Sequence, residues 1–296
     1  MRVSDRMISN QMIKYMNDTQ AKKDALSLQV ASGKLYENAS DNPADVSAAM
    51  TIKSTLQTGK TYLENANRID GWMDTSDQAF SQMSSLMIRA TTLIQSGLSD
   101  TLSADERATS LAPEMSGILD EALDIANTTY LDQYIFSGYQ VNTKPYEIDP
   151  TNSSQVLYHG DDGLMQHDIG TGQTVTTNVN SSSSMQAMFN AIIRARNALL
   201  SDDRTELEAA LTDINNAQDT VGDLQATNGA RMRQVDNAIT YLEKSNLTLK
   251  SLLSEKEDVN MAEAIVNLTN METTYEAVLE VGQRAISSLN LFDLLR

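Results

Sequence analysis

Met232-Arg-Gln-Val235-Asp-Asn-Ala-Ile239-Thr-Tyr-Leu242-Glu-Lys-Ser-Asn246-Leu-Thr-Leu249-Lys-Ser-Leu-Leu253 places an apolar residue three or four positions after the last, with one polar interruption at Asn246. That alternation draws a single stripe along an α-helix that packs lengthwise on another helix. A lone Asn in such a seam costs stability but can fix register. The stretch therefore decides the fold class, which is mainly α and built from long paired helices.

Upstream, the same helix reads back to about Thr205. Ser201-Asp202-Asp203 breaks it from a shorter helix, Met185–Leu200. Downstream, the seam slips by one residue across Ser254–Asn260, which marks a joint between two helical regions. It resumes as Met261, Ile265, Leu268, Tyr275, Leu279, Ile286 and Leu289. The chain then ends in an apolar tail, Leu291-Phe-Asp-Leu-Leu-Arg296, of the kind that docks on something.

Residues 3–32 carry a weaker stripe: Ile8, Met12 and Tyr15, then Ala21, Ala25 and Leu28. A stripe that drifts makes a helix marginal by itself, because burial of one face supplies most helical stability. Gly33 ends it, and residues 33–42 have linker composition. Asn42-Pro43 then opens a helix in the favoured way: Asn42 caps, Pro43 fits the first position and Asp45 sits at the positive end of the dipole. That helix runs to about Gly97 on the seam Ala49, Ile52, Leu56, Gly59, Leu63, Ala66, Met73, Phe80, Met87 and Ile94, interrupted by Asp70 and Asp77. Ser103-Ala-Asp-Glu106 is a capping-box pattern opening a further helix to about Thr129, in which Pro113 predicts a kink.

The pattern changes near residue 130. Tyrosines cluster, and both histidines and much of the glycine fall between 134 and 172. Gln155–His159, Leu164–Ile169 and Thr174–Val179 read as short strands joined by Gly160-Asp-Asp-Gly163 and Gly170-Thr-Gly172 turns. Ser181–Ser184 reads as a linker.

The division expected is 1–42 as N-terminal helix and linker, 43–131 as rod helices and 132–184 as a β-rich insertion with its linker. Residues 185–253 are returning rod helices and 254–296 the C-terminal helix. The fold class is a long antiparallel helical rod with paired terminal helices and a small β-rich insertion.

Composition narrows the function. A formal charge of −18 over 296 residues disfavours binding to phosphate backbones. The absence of cysteine excludes disulfides and thiolate catalysis. No apolar run reaches the ~18 residues that span a bilayer, and the N-terminus has no signal-peptide stretch. No Gly-x-Ser-x-Gly elbow occurs. His159 and His167 flank a turn with Asp161 and Asp162, a spacing that reads as a polar hairpin rather than a metal site. No catalytic, metal or cofactor site is assigned. The methionines at 73, 83, 87 and 115 read as core rather than as an adaptable partner surface, and Trp72 as half-buried. At the two ends, Val3, Met7, Ile8, Met12, Leu268, Tyr275, Leu279, Ile286, Leu289, Phe292 and Leu295 exceed what one isolated bundle would bury at its tips. They read as an assembly interface.

Several motifs carry a resemblance. Ser32-Gly-Lys-Leu-Tyr-Glu-Asn-Ala-Ser-Asp-Asn-Pro-Ala44 resembles the flagellin-type link between N-terminal helix and rod. Arg89, Leu93 and Gln95 before Gly97 resemble its rod segment. Tyr134-Ile-Phe-Ser-Gly138 with Thr143-Lys-Pro145 is similar to a motif of the flagellar hook-associated protein 3 family, which joins hook to filament. Asp258-Val-Asn-Met-Ala-Glu-Ala264, Tyr275-Glu-Ala277 and Leu294-Leu295-Arg296 resemble the family's C-terminal pattern.

The resemblance implies export through the flagellar type III channel, with a chaperone on the C-terminal helix, to an extracellular place in the flagellum. It implies subunits set in a ring-like junction between the first hook-associated protein and flagellin, with terminal helices that are disordered in the free monomer. It implies no cofactor, no nucleic acid and no membrane insertion. Filament flagellin is the near alternative. A chemoreceptor-like signalling rod and an extracellular enzyme are alternatives of other classes, and the β insertion and missing membrane segment speak against the former.

Overall fold

The computed structural model describes residues 2–36, 38–100 and 102–294, without side chains for the first few residues and for 285–294. Seven α-helices are described. They are α1 (Arg2–Ser32), α2 (Pro43–Gly97), α3 (Ala104–Glu106), α4 (Ala112–Ala126), α5 (Ser182–Ser201), α6 (Arg204–Glu257) and α7 (Met261–Leu294). Six strands pair as three antiparallel hairpins: β1 (Thr129–Tyr130) with β2 (Gln133–Tyr134), β3 (Tyr146–Asp149) with β4 (Asn152–Tyr158), and β5 (Gln166–Gly170) with β6 (Gln173–Thr176). The mainly α class with a small β-rich insertion is as the sequence predicts.

The chain divides into two compact units. Residues 59–244 form one, and residues 1–58 with 245–296 form the other. Nearly all of the buried apolar side chains lie in the unit 59–244. Met73, Phe80, Met87 and Ile94 of α2 are fully buried, as the seam predicts. Met83 and Met115 are buried with them, so the methionine stripe is core. Phe80, Met83, Met87 and Ile94 meet Met115, Ile118 and Ala122 of α4, Met188, Phe189 and Ile192 of α5, and Leu207, Ile214 and Val221 of α6. Trp72 is buried rather than half-buried, because Tyr130 packs on it edge-to-face at 6.1 Å.

Helix starts follow local chemistry. Asn42 Oδ1 accepts the Asp45 N–H, satisfying an orphan donor at the start of α2. Ser103 and Glu106 make the reciprocal capping box. The distortion expected at Pro113 takes the form of a π-helical turn in a backbone that stays right-handed helical on both sides. This turn, Arg107–Leu111, precedes α4 and places Pro113 in its first turn, where a missing N–H costs least. Ser182–Ser184 form the first turn of α5, not a linker. Asp202 adopts φ 54° and reverses the chain between α5 and α6.

Three predicted strands appear with shifted bounds, as β4, β5 and β6. Three were missed. The β1–β2 turn is Leu131-Asp132, with both residues at positive φ, where glycine or asparagine is the usual signal.

The insertion shares the helical core rather than building its own. Ile135, Phe136, Tyr146 and Val156 are buried in it. Tyr146 lies between Tyr158 and Phe189, with ring centroids 5.0 and 5.3 Å away. A second small cluster joins Ile169 and Val175 of the β5–β6 hairpin to Ala66, Ile69 and Met73 of α2 and Val235 of α6.

The Phe136-Ser-Gly138 turn is held by Asp161. Asp161 Oδ1 accepts the amides of Tyr139 and Gly163 at 2.8 Å each, and its carbonyl accepts the Tyr158 hydroxyl at 2.7 Å. The Asp161 amide in turn donates to the Ser137 carbonyl. The motif is thus a loop-to-loop lock, and the residue closing it lies 23 positions after Gly138.

Asp70 interrupts the α2 seam at a cost. Burial first, then Asp236 and Asp74, raise its carboxyl above the ordinary range. A raised acid binds its proton more tightly when folded, so its charged form opposes folding at neutral pH, and that penalty fades as pH falls through its folded value. Asp70→Asn should therefore raise the melting temperature by roughly 1–3 °C at pH 7, with the gain shrinking toward pH 4, by differential scanning calorimetry. A loss at pH 7 would show that the carboxylate has a favourable partner.

Candidate assembly interface

The unit formed by residues 1–58 and 245–296 is held by contact between α1 and α7. Its helices are almost coreless. Among the described residues, its buried apolar side chains are Ala49 and Ala264.

The face of α1 that turns inward is Met12, Met16, Thr19, Lys23, Leu26 and Val30, all half-buried. Their spacing alternates strictly between four and three. The stripe expected from apolar residues alone is out of phase. Tyr15 and Leu28 are exposed, as are Ala21 and Ala25. On α7 the covered face is Ala264, Leu268, Met271, Tyr275, Val278 and Gly282, again alternating by four and three. Met261 and Ile265, expected in the seam, are exposed. At Gly282 the reason is a small residue: it presents no side chain, and Met12 and Met16 pack over it.

Two contacts fix the pairing as antiparallel. A Cβ built on Gly282 would lie 3.6 Å from Met16 Sδ and 3.8 Å from Met12 Cε. One turn and more along, Lys23 Nζ lies 4.8 Å from the centre of the Tyr275 ring. Lys23 is thus a seam residue whose charge meets an aromatic face while its stem covers apolar surface.

Of the residues singled out as an interface, Met12, Leu268, Tyr275 and Leu279 are half-buried and Met7 is exposed. The side chains of Val3, Ile8, Ile286, Leu289 and Phe292, and the whole of Leu295, lie outside the described residues. Met16, Lys23 and Gly282 were missed. Gly282 had a signal, since it falls seven residues after Tyr275 and fourteen after Leu268.

Away from the α1–α7 contact, this unit exposes Met7, Ile13, Tyr15, Leu28, Leu35, Met50, Leu247, Leu252, Met261, Ile265, Val266 and Val281. The larger unit exposes half as many large apolar residues among those described. Among the described residues, exposed large apolar side chains are thus concentrated in this unit.

Chemistry is sparse elsewhere. His159 is exposed beside β4, whereas His167 Nδ1 lies 2.9 Å from Thr177 Oγ1. Burial, then Arg68, lowers the His167 pKa, with Asp168 opposing. Among the described residues, no group of three His, Asp or Glu could hold a metal ion, and no helix is long and apolar enough to cross a membrane.

The family described as the bacterial flagellin N-terminal helical region matches residues 3–141. An Escherichia coli (strain K12) protein named flagellar hook-associated protein 3 is 24% identical, over 99% of each chain. The chain is similar to that protein from end to end. A Salmonella typhimurium protein of the same name is 27% identical over 59% of this chain and 54% of its own. For the fold, the crystal structure of Xanthomonas campestris FlgL superposes with a TM-score of 0.60 at 20% identity, over 69% of this chain and 99% of that one.

Proposed function

We propose that this chain is a structural subunit of the bacterial flagellum that forms the junction between hook and flagellin filament. The observation that carries the reading is the end-to-end match to a protein named for the hook-associated role. It is supported by terminal helices that pair with each other yet leave apolar surface uncovered.

In this reading the role is mechanical rather than catalytic, and the protein works outside the cell after type III export. Copies side by side form a ring, with the first hook-associated protein on one side and flagellin on the other. A chaperone covers the C-terminal helix before export. Residues 1–42 and 254–296 are the assembly core, 43–131 and 185–253 the helical body, and 132–184 the insertion. The interface comprises Val3, Met7, Ile8, Met12, Leu268, Tyr275, Leu279, Ile286, Leu289, Phe292 and Leu295, to which Met16 and Gly282 are added.

Deleting the gene tests this. Cells without a junction subunit should make flagellin but release it into the medium, with hooks left bare in electron micrographs. Antibody against the chain should label the hook–filament boundary of intact flagella. Label along the whole filament would make the protein flagellin instead.

A further inference from the structure

The connector after α1 and the connector after α6 are about 220 residues apart in sequence, yet they are hydrogen-bonded to each other. The Leu35 amide donates to the Glu257 carbonyl at 2.8 Å, and the Val259 amide donates to the Gly33 carbonyl at 2.9 Å. Lys34 and Asp258 form the isolated antiparallel bridge between these two bonds. The Tyr36 hydroxyl donates to the Lys256 carbonyl, and Gln29 Nε2 to the Leu35 carbonyl. Two bonds of a ladder are too few to hold two segments in water unaided.

Charge surrounds this rung. Lys34 Nζ lies 2.7 Å from Asp258 and 3.2 Å from Glu257. Lys53 of α2 pairs with the same Glu257 carboxylate. Lys256 Nζ reaches Asp45 of α2 at 3.0 Å. Three cations and three anions therefore meet in a chain whose net charge is −18. Glu257 is the shared member, and its side chain is only 13% exposed. The end of α1, the start of α2, the end of α6 and the start of α7 all meet here.

We infer that this six-charge cluster is a releasable clasp: it locks the two connectors together and sets the point from which the α1–α7 pair closes toward the free ends. The α1–α7 seam is thin in apolar contact, so pairing depends on the entropy already removed at one end. The clasp removes it. Salt screens exposed pairs, and acid removes the carboxylate partners, so both open the clasp while the apolar core of residues 59–244 stays closed. The charged groups facing one another are Lys34 on the first connector, Asp45 and Lys53 on α2, Lys256 and Glu257 at the end of α6 and Asp258 on the second connector. Lys34 holds Asp258, and Lys53 and Lys34 hold Glu257, below the usual carboxylate range. A lowered acid stabilises above its unfolded value and loses that contribution as pH falls through the lower folded value, so opening by acid falls below about pH 4. The inference stands whether or not the junction reading holds.

Hydrogen exchange on the full-length chain tests it, read at the Leu35 and Val259 amides, along α7 and along α4. Glu257→Gln should speed exchange at Leu35 and Val259 by about ten-fold in 50 mM salt, with α7 following and α4 unchanged. Wild type in about 1 M salt should approach the variant. Lys53→Met combined with Glu257→Gln should add little to Glu257→Gln alone, because the two residues share one interaction. Leu35 and Val259 amides that stay protected in Glu257→Gln, α4 amides that speed up equally, or fully additive effects would each overturn the clasp.

Discussion

Gly138→Ala should unfold the lock between the Phe136-Ser-Gly turn and the Asp161 loop and lower the melting temperature by at least about 5 °C. Two costs combine. Gly138 has φ +68°, a conformation that costs an L-residue roughly 1 kcal/mol. An added Cβ would also sit 2.1 Å from the Asp161 carbonyl oxygen and 2.2 Å from Asp161 Oδ1. Backbone cannot yield to a methyl at that distance, so Asp161 must move and give up its bonds to Tyr139 and Gly163. Gly172→Ala is the control. Its φ is +72°, but nothing lies within 4 Å of the added Cβ, so only the conformational cost should appear. Calorimetry of the two variants separates strain from collision. Equal losses would mean that the Asp161 loop yields freely and locks nothing.

Gly282→Glu should abolish assembly while leaving the unit 59–244 folded. Gly282 is buried against Met12 and Met16, and a carboxylate there would have to lose water against two thioether side chains. The helices must part instead. Gly282→Ala should act in the opposite sense. Its Cβ would make ordinary contact at 3.6–3.8 Å, and alanine favours a helix over glycine by about 1 kcal/mol. Swimming halos and shearing of flagella give the functional readout. Circular dichroism should show the glutamate variant still highly helical and melting like wild type. A glutamate variant that still supports motility would detach the α1–α7 seam from assembly.

These two glycines mark where the sequence could be read and where it could not. Long helices announce themselves by spacing, and the start of α2 at Pro43 follows from local capping chemistry. The β4, β5 and β6 strands announce themselves by composition. The seam of α1 was hidden because Thr19 and Lys23 belong to it, and a search for apolar residues steps onto Tyr15 and Leu28 instead. Lys23 belongs there only because Tyr275 faces it from a helix some 250 residues later. Gly138 could be recognised as a turn residue, but not as the partner of Asp161. Each failure has one cause: the fact that decides the position sits on another part of the chain.

Asn228 shows the same thing in the α6 seam. The polar residue singled out there was Asn246, which is only half-buried. The fully buried one is Asn228, whose Nδ2 donates to the Met73 carbonyl of α2 at 2.8 Å. It falls in a row of sevens with Leu207, Ile214, Val221, Val235 and Leu242, all buried. Such a row is a ruler with identical divisions. Slid by one division along α2, it would still set apolar residue against apolar residue and lose little. Only Asn228 would find itself opposite the wrong carbonyl. It is the zero mark on the scale, and the two long helices can be counted against each other because one division is different.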